Sequence, residues 1–411
     1  MSVKPNGVSR RDFFRVVGAG ATGYVLTASG VATEAATLPT TQPAPMIVPT
    51  RAFGKTGVKV SILSLGGMFD IPKNQLMLKQ AIQYGVTYWD TADCYGKGKS
   101  EEGIGKYFQK NPDDRKKIFL VTKSDKRDLE GMTKLLNRSL ERMKTDYVDL
   151  YFLHSVSNTK DFTGSKGKAL MQWVTKAKAK GKIRFFGFST HSNMEKCLLG
   201  AAKERFIDGI MLRYSYMSMN TDNMKRAVDA CHVKGIGLTA MKTQATRTKS
   251  KATEAEQALI EQLTAKGFTL GQIKLKAVWD NPKIACICSQ MPNLRLLSEN
   301  VAAAANKTKL TSPDKRAMER DAQVNRDGYC AGCADLCESA IGGAVPICDV
   351  MRCLMYRNEY GEVELARQTF ESLPAPSRAQ LAHVDYSAAD RRCPNRLPIA
   401  ELMTQAVQTL A

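Results

Sequence analysis

Four residues able to move protons stand at or just past the ends of apolar runs in the first half of the chain. Asp90 closes VTYWD (86–90), Lys123 closes IFLVTK (118–123), and His154 closes YVDLYFLH (147–154); Tyr95 follows Asp90 in DTADCYG. Singly, each has an ordinary use. A carboxylate caps a turn, a lysine carries surface charge, and a histidine sits hydrogen-bonded in a core. Brought to one spot, a carboxylate, a phenol, an ammonium and an imidazole are equipped for acid–base chemistry. A second set offers soft ligands. Cys330, Cys333 and Cys337 lie together in YCAGCADLCES (329–339), and Cys393 precedes Pro394 far downstream. Thiolates hold iron–sulfur clusters or zinc, or pair as disulfides.

The first set needs elements that bring the strand ends together. From residue 51 short β-branched and aromatic runs alternate with amphipathic helical patterns. The strand candidates are 61–67, 86–90, 118–123, 147–154, 183–189, 209–215, 236–242 and 284–290. In LLNRSLERM (135–143) apolar residues recur at three- and four-residue steps, giving one buried helix face. Eight such units predict an α/β fold, a (β/α)₈ barrel over 51–312, whose C-terminal strand ends converge on one face. The near-continuous apolar strands agree, since barrel strands are covered on both sides. A doubly wound open sheet is the competing architecture, but no G-x-G-x-x-G follows the first strand.

The 411 residues are 43% apolar and 24% charged, the composition of an ordinary globular protein. The formal charge is +20. Its basic stretches, such as TKAKAKGK (175–182), lack interleaved aromatics and read as solvated helix faces, so nucleic acid is not the expected partner. The N-terminus reads SRRDFFR (9–15) before a Gly/Ala-rich apolar stretch, the pattern of a twin-arginine export signal over 1–36. Its loss takes Lys4, Arg10, Arg11 and Arg15 with Asp12 and Glu34, leaving the chain strongly basic. The Pro/Thr-rich 37–50 follows as a linker. The expected destination is the extracytoplasmic side, periplasmic or membrane-associated. The export machinery is a partner, and the route favours a protein that folds around its cofactor first.

YWDTADCYG, SEEGIG, VTKS and DLYFLHS together resemble the aldo/keto reductase family, over roughly residues 51–305. The resemblance implies an oxidoreductase acting on a small-molecule carbonyl or alcohol with NADP(H). Tyr95 would give a proton to the carbonyl oxygen, Lys123 paired with Asp90 would lower the tyrosine's pKa, and His154 would orient the carbonyl. For the cofactor it implies Ser189, Thr190, Met241, Lys242, Glu299 and Asn300. Thr190 stands where the family usually has Asn, Met211 where it has Gln, and Met241 where an aromatic often stacks. Arg295 neighbours the position of the usual 2′-phosphate contact.

Residues 313–411 form a separate cysteine-rich, mostly helical region, with ICDVMRCLMYRNEYGEVELARQTFESL and LPIAELMTQAVQTL as the main helical patterns. The spacing C-x₂-C-x₃-C with a remote C-P departs from the ferredoxin run C-x₂-C-x₂-C-x₃-C-P. The tail resembles the ferredoxin-like extension of some bacterial aldo/keto reductases. That resemblance implies one [4Fe–4S] cluster on Cys330, Cys333, Cys337 and Cys393, and an electron-transfer partner. Zinc is the alternative, although Cys₄ zinc sites prefer paired C-x₂₋₄-C units. Cys348 and Cys353 are expected to pack, as are Cys94, Cys197, Cys231, Cys286 and Cys288, as small buried hydrophobes. The competing function is an exported redox or binding module that keeps the barrel without catalysis.

Overall fold

A computed structural model describes residues 46–244, 254–325 and 329–411. The export signal and most of the expected linker lie outside the described residues. Eight parallel strands close a barrel: β3 (Leu63–Gly66), β4 (Tyr88–Asp90), β5 (Phe119–Ser124), β6 (Val148–Leu153), β7 (Ile183–Thr190), β8 (Gly209–Arg213), β9 (Gly237–Met241) and β10 (Cys286–Gln290), with β10 pairing back onto β3. Every predicted strand is present.

The strands are apolar on both faces because each face has a different neighbour. Tyr88 points into the lumen beside Phe119, Phe152 and Met211. Trp89, one residue on, joins Leu120, Tyr151 and Phe186 in the layer under the helices. A short antiparallel hairpin, β1 (Thr50–Ala52) with β2 (Lys59–Ser61), precedes the barrel. It plugs the N-terminal end of the lumen with Phe53, which is fully buried against Tyr88 and Phe119. Glycines admit that ring: a Cβ on Gly209 or Gly237, the first residues of β8 and β9, would meet it below 3 Å. The hairpin escaped the sequence reading because its three-residue strands carry Arg51 and Lys59. Thr50, the last expected linker residue, already pairs in β1.

Beyond the barrel, helix Ser312–Val324 packs on helix Glu254–Thr264 through Met318, Leu259 and Leu263. Lys266 bonds Asp314 at 2.7 Å. The following helices, including Ala334–Ala340, Ile347–Asn358, Val363–Glu371 and Ile399–Leu410, gather around their own core of Val350, Cys353, Leu354, Phe370 and Met403. The cysteine loop docks on the barrel just after β7. Asn193 donates from its amide nitrogen to Asp335 at 2.9 Å and accepts from the Asp335 backbone N–H at 2.8 Å, and its own N–H bonds Gly332 O.

Candidate active site and cysteine pocket

Asp90 ends β4, Lys123 lies one residue before the end of β5, and His154 follows β6. Lys123 Nζ bonds Asp90 Oδ2 at 2.7 Å, Thr91 O at 2.8 Å and the Tyr95 hydroxyl at 3.3 Å. The Tyr95 and His154 rings meet edge to face, 5.8 Å between centroids. The structure thus brings all four residues together.

The turn bearing Tyr95 is built by its neighbours. Gly96, Lys97 and Gly98 all have positive φ. Gly98 has a φ of 98°, a left-handed backbone that strains any residue bearing a side chain. Arg138 and Arg142, from helix Leu129–Met143, both bond the Asp93 carboxylate. Arg142 also reaches Glu101, which accepts from Thr122 at 2.6 Å. The motif residues around Tyr95 are therefore a clamp, tying its turn to the helix after β5.

Burial pushes the Asp90 carboxyl up, with the Lys123 charge opposing. Burial, then the Asp90 carboxylate, pushes the Tyr95 phenol well above its ordinary value. The Lys123 ammonium 3.3 Å from the hydroxyl favours the phenolate, but burial and the Asp90 carboxylate outweigh it. The Tyr95 phenol therefore holds its proton at neutral pH. Burial lowers the His154 pKa, partly offset by Asp125. Asp125 itself, although burial works against its charge, is held down to about 2 by its hydrogen bond to His154. Cys94 is exposed rather than packed, its Sγ 3.6 Å from His154 Nδ1. Cys94, Asp125 and His154 present donor atoms within 4.8 Å of one another, a set able to take a soft divalent cation. Asp125 had no role in the sequence reading; its one signal was a polar residue just past the β5 end.

The sequence profile of the Aldo/keto reductase family matches residues 63–312. The chain belongs to that family. Among its curated relatives, the Schizosaccharomyces pombe aldo-keto reductase yakc [NADP(+)] is 30% identical over 210 residues, 46% of this chain and 59% of that protein. The uncharacterized oxidoreductase YqkF of Bacillus subtilis is 25% identical over 305 residues, 66% of this chain and 95% of that one. The holo form of aldo-keto reductase AKR11C1 from Bacillus halodurans superposes with a TM-score of 0.55 at 20% identity, covering 67% of this chain and 96% of that one. This last likeness is one of fold, and about a third of the present chain lies outside it.

In this aldo/keto reductase the expected nicotinamide residues are turned inward. Ser189 and Thr190 are buried; Ser189 Oγ accepts from Ser155 N at 3.0 Å and Thr190 Oγ1 donates to Ser192 O at 2.9 Å. Met211 and Met241 pack into the lumen core. Asn300 is buried between Gln244 and Ser289. Glu299 pairs at the surface with Arg295, 3.5 Å away. The Lys242 ammonium lies 4.3 Å from the ring centre of Tyr356, in helix Ile347–Asn358, and 5.7 Å from that of Tyr360. Ser189, Thr190 and Asn300 spend their polar groups within the protein, whereas Glu299 at the surface and Lys242 at the barrel mouth keep charged groups open to a ligand.

Cys330, Cys333, Cys337 and Cys393 line one apolar pocket with Ile347 and Leu397. Cys348 lines it too, while packing against the helical core as expected. Cys353 does pack, fully buried in the helical core. So do Cys197, Cys231 and Cys286, while Cys288 is half-buried beside Asp90. The hydrogen bond from Cys348 brings the Cys330 thiol down to about 6, with the Arg213 guanidinium helping against burial. Cys393 Sγ accepts from Leu397 N at 3.5 Å, as a thiolate ligand does.

Proposed function

We propose that this aldo/keto reductase interconverts a small-molecule carbonyl and its alcohol, with Tyr95 giving its proton to the carbonyl oxygen in reduction and recovering it in oxidation. The observation that carries this is the bridge by Lys123, which holds Asp90 and the Tyr95 hydroxyl at once. The ammonium beside the phenol steadies the phenolate left after transfer, and Asp90 keeps the ammonium charged and in place. His154, tied to Asp125 and edge-on to Tyr95, offers a bare Nε2 that accepts from the hydroxyl of the alcohol. NADP(H), when bound, would supply the hydride to the carbonyl carbon in reduction and take it back in oxidation, so that the proton of Tyr95 and the hydride together balance the reaction.

The cysteine pocket supports a [4Fe–4S] cluster on Cys330, Cys333, Cys337 and Cys393. Among the described residues no three of these sulfurs lie within 4.8 Å of one another. Such a cluster supplies one-electron transfer and calls for an electron-transfer partner. Export by the twin-arginine route belongs to the same reading, since it carries proteins already folded around a cofactor. Arg10→Lys with Arg11→Lys should hold the protein in the cytoplasm. Unchanged extracytoplasmic accumulation would refute the route.

The catalytic reading is tested with anaerobically purified protein, a dicarbonyl probe such as methylglyoxal, and NADPH or a chemically reduced viologen as alternative donors. Tyr95→Phe should lose turnover by about 10²–10⁴-fold while keeping its circular dichroism. A variant turning over at the wild-type rate sinks the assignment. A barrel kept without catalysis is the second reading, favoured by the satisfied cofactor residues; a wild type inactive with both donors would establish it.

A further inference from the structure

Cys94, Asp125 and His154 come from three neighbouring strand ends of the barrel. Cys94 lies in the turn after β4, Asp125 directly follows β5 and His154 directly follows β6. Backbone hydrogen bonds lock these ends together, Asp93 N to Lys123 O at 3.2 Å and His154 N to Ser124 O at 2.9 Å. Arg127 donates to His154 O and pairs with Asp161 at 3.0 Å, where its charge is matched. Among the described residues, these three side chains alone bring metal-ligating atoms within 4.8 Å of one another. His154 Nδ1 is the shared point: Asp125 Oδ1 lies 2.8 Å from it and Cys94 Sγ 3.6 Å. That excludes a nucleophilic triad, in which thiol and carboxylate take opposite ring nitrogens. It suits a metal. Tetrahedral bonds of about 2.3 Å to sulfur and 2.0–2.1 Å to nitrogen set those two atoms about 3.6 Å apart. The Asp125 contact must lengthen by about half an ångström when a cation replaces the proton in it, and a carboxylate 53% exposed has room to turn. Cys94 and Asp125 both reach solvent, so the remaining coordination position opens to water.

We propose that Cys94, Asp125 and His154 bind one Zn²⁺ at the rim of the active site, and that the metal decides which nitrogen of His154 carries the ring proton. The donor set names the ion. Sulfur, imidazole nitrogen and carboxylate oxygen are zinc ligands, whereas calcium and magnesium take oxygen alone. The Cys94 thiolate and the Asp125 carboxylate together cancel the charge of the cation. The protons balance. Zinc takes the Nδ1 lone pair, so the neutral ring carries its proton on Nε2. The Cys94 thiol gives its proton to water, and Asp125, already ionised, gives none. Without the metal, Asp125 holds the ring proton on Nδ1 and Nε2 only accepts. With it, Nε2–H donates, and a carbonyl oxygen, itself only an acceptor, gains a partner. The effect on turnover rests on the carbonyl–alcohol reading of Tyr95; the metal site does not.

The experiment compares the full-length wild type with Cys94→Ser, a change at an exposed side chain, both purified anaerobically and dialysed against a chelator. Zn²⁺ titrated by calorimetry should show one site in the wild type that Cys94→Ser weakens about tenfold or more; zinc taken up by the distant cysteine pocket is common to both proteins and cancels. The chain has four histidines, so His154 can be followed by its ring nitrogens in histidine-labelled protein. Zn²⁺ should move its proton from Nδ1 to Nε2 in the wild type and leave it on Nδ1 in Cys94→Ser. In turnover, Zn²⁺ should lower KM for methylglyoxal about fivefold, the size of one neutral hydrogen bond, in the wild type alone. Equal zinc stoichiometry and affinity in the two proteins overturns the site. Zinc bound with the proton still on Nδ1, or with KM unmoved in active enzyme, overturns the control of His154. A wild type inactive with and without zinc refutes the Tyr95 reading, and the calorimetric and nitrogen measurements then decide the metal site by themselves.

Discussion

Asp125 Oδ1 lies 2.8 Å from His154 Nδ1. The carboxylate accepts the Nδ1–H, which leaves Nε2 bare while the ring is neutral. Burial favours that neutral ring. A neutral His154 therefore accepts from a substrate hydroxyl, and it donates to a ketone oxygen only as the imidazolium. Asp125→Asn should mix the two tautomers, visible in the ring nitrogen shifts of the labelled protein. Turnover should fall about tenfold or more as the ring loses its orientation. An unchanged tautomer would show that Asp125 is a bystander.

The Lys123–Asp90 pair is almost wholly buried, with side-chain exposures of 1% and 3%, and Asp90 Oδ1 has no hydrogen-bond partner. Removing one partner leaves the other charge uncompensated. Lys123→Met should cost about 3–5 kcal/mol in urea unfolding, and the double variant with Asp90→Leu should recover much of it. A single-variant loss below about 1 kcal/mol would place the pair in contact with water.

Asp314 ties helix Ser312–Val324 to the barrel. It accepts from Lys266 at 2.7 Å and from the Thr311 backbone N–H at 2.8 Å. Burial works against its charge, but Lys266 and Thr311 hold it down to about 2. The unfolded value is about 3.9, so the stability it contributes is present above that pH and is lost as pH falls toward 2. Asp314→Asn should lower stability by about 1–3 kcal/mol at pH 7 and by little near pH 2. Thermal unfolding at the two pH values checks this; an equal loss at both would assign it to packing.

The five thiols of the pocket should separate by role. Cys393→Ser should lose most of the iron and acid-labile sulfide, because three thiolates leave one iron open to solvent. Cys348→Ser should keep the iron and shift the cluster's reduction potential, since it changes a polar neighbour of Cys330 and Cys337 in the same pocket. Cys353→Ser should keep iron and potential and lose only stability, by about 1–3 kcal/mol for a buried hydroxyl. Near-stoichiometric zinc without sulfide in the wild type would overturn the cluster.

Much of this protein is written in local pattern. Eight apolar runs between amphipathic helices are enough for a barrel, because strands buried on both faces leave few alternatives, and barrel closure carries Asp90, Lys123 and His154 to one rim. The three-residue strands of the hairpin were not legible, since Arg51 and Lys59 mask a pairing that Phe53 makes worthwhile only once the lumen exists. The direction of the Tyr95 pKa was not legible either. It depends on how the Lys123 charge divides between two neighbours and on how deeply the phenol is buried, and both are distances.

The cysteine spacing likewise marks a ligand run by itself, while its neighbours come from packing. Cys348, Arg352 and Tyr356 share one helix whose sequence shows only an apolar stripe. Docking through Asn193 and Asp335 turns that helix onto the barrel mouth, setting Cys348 among the thiols, Arg352 in a cleft with Arg213 and Tyr356 over Lys242. Periodicity determines which face of a helix is buried. What that face is buried against is a contact between residues more than a hundred positions apart, decided only when the two cores meet.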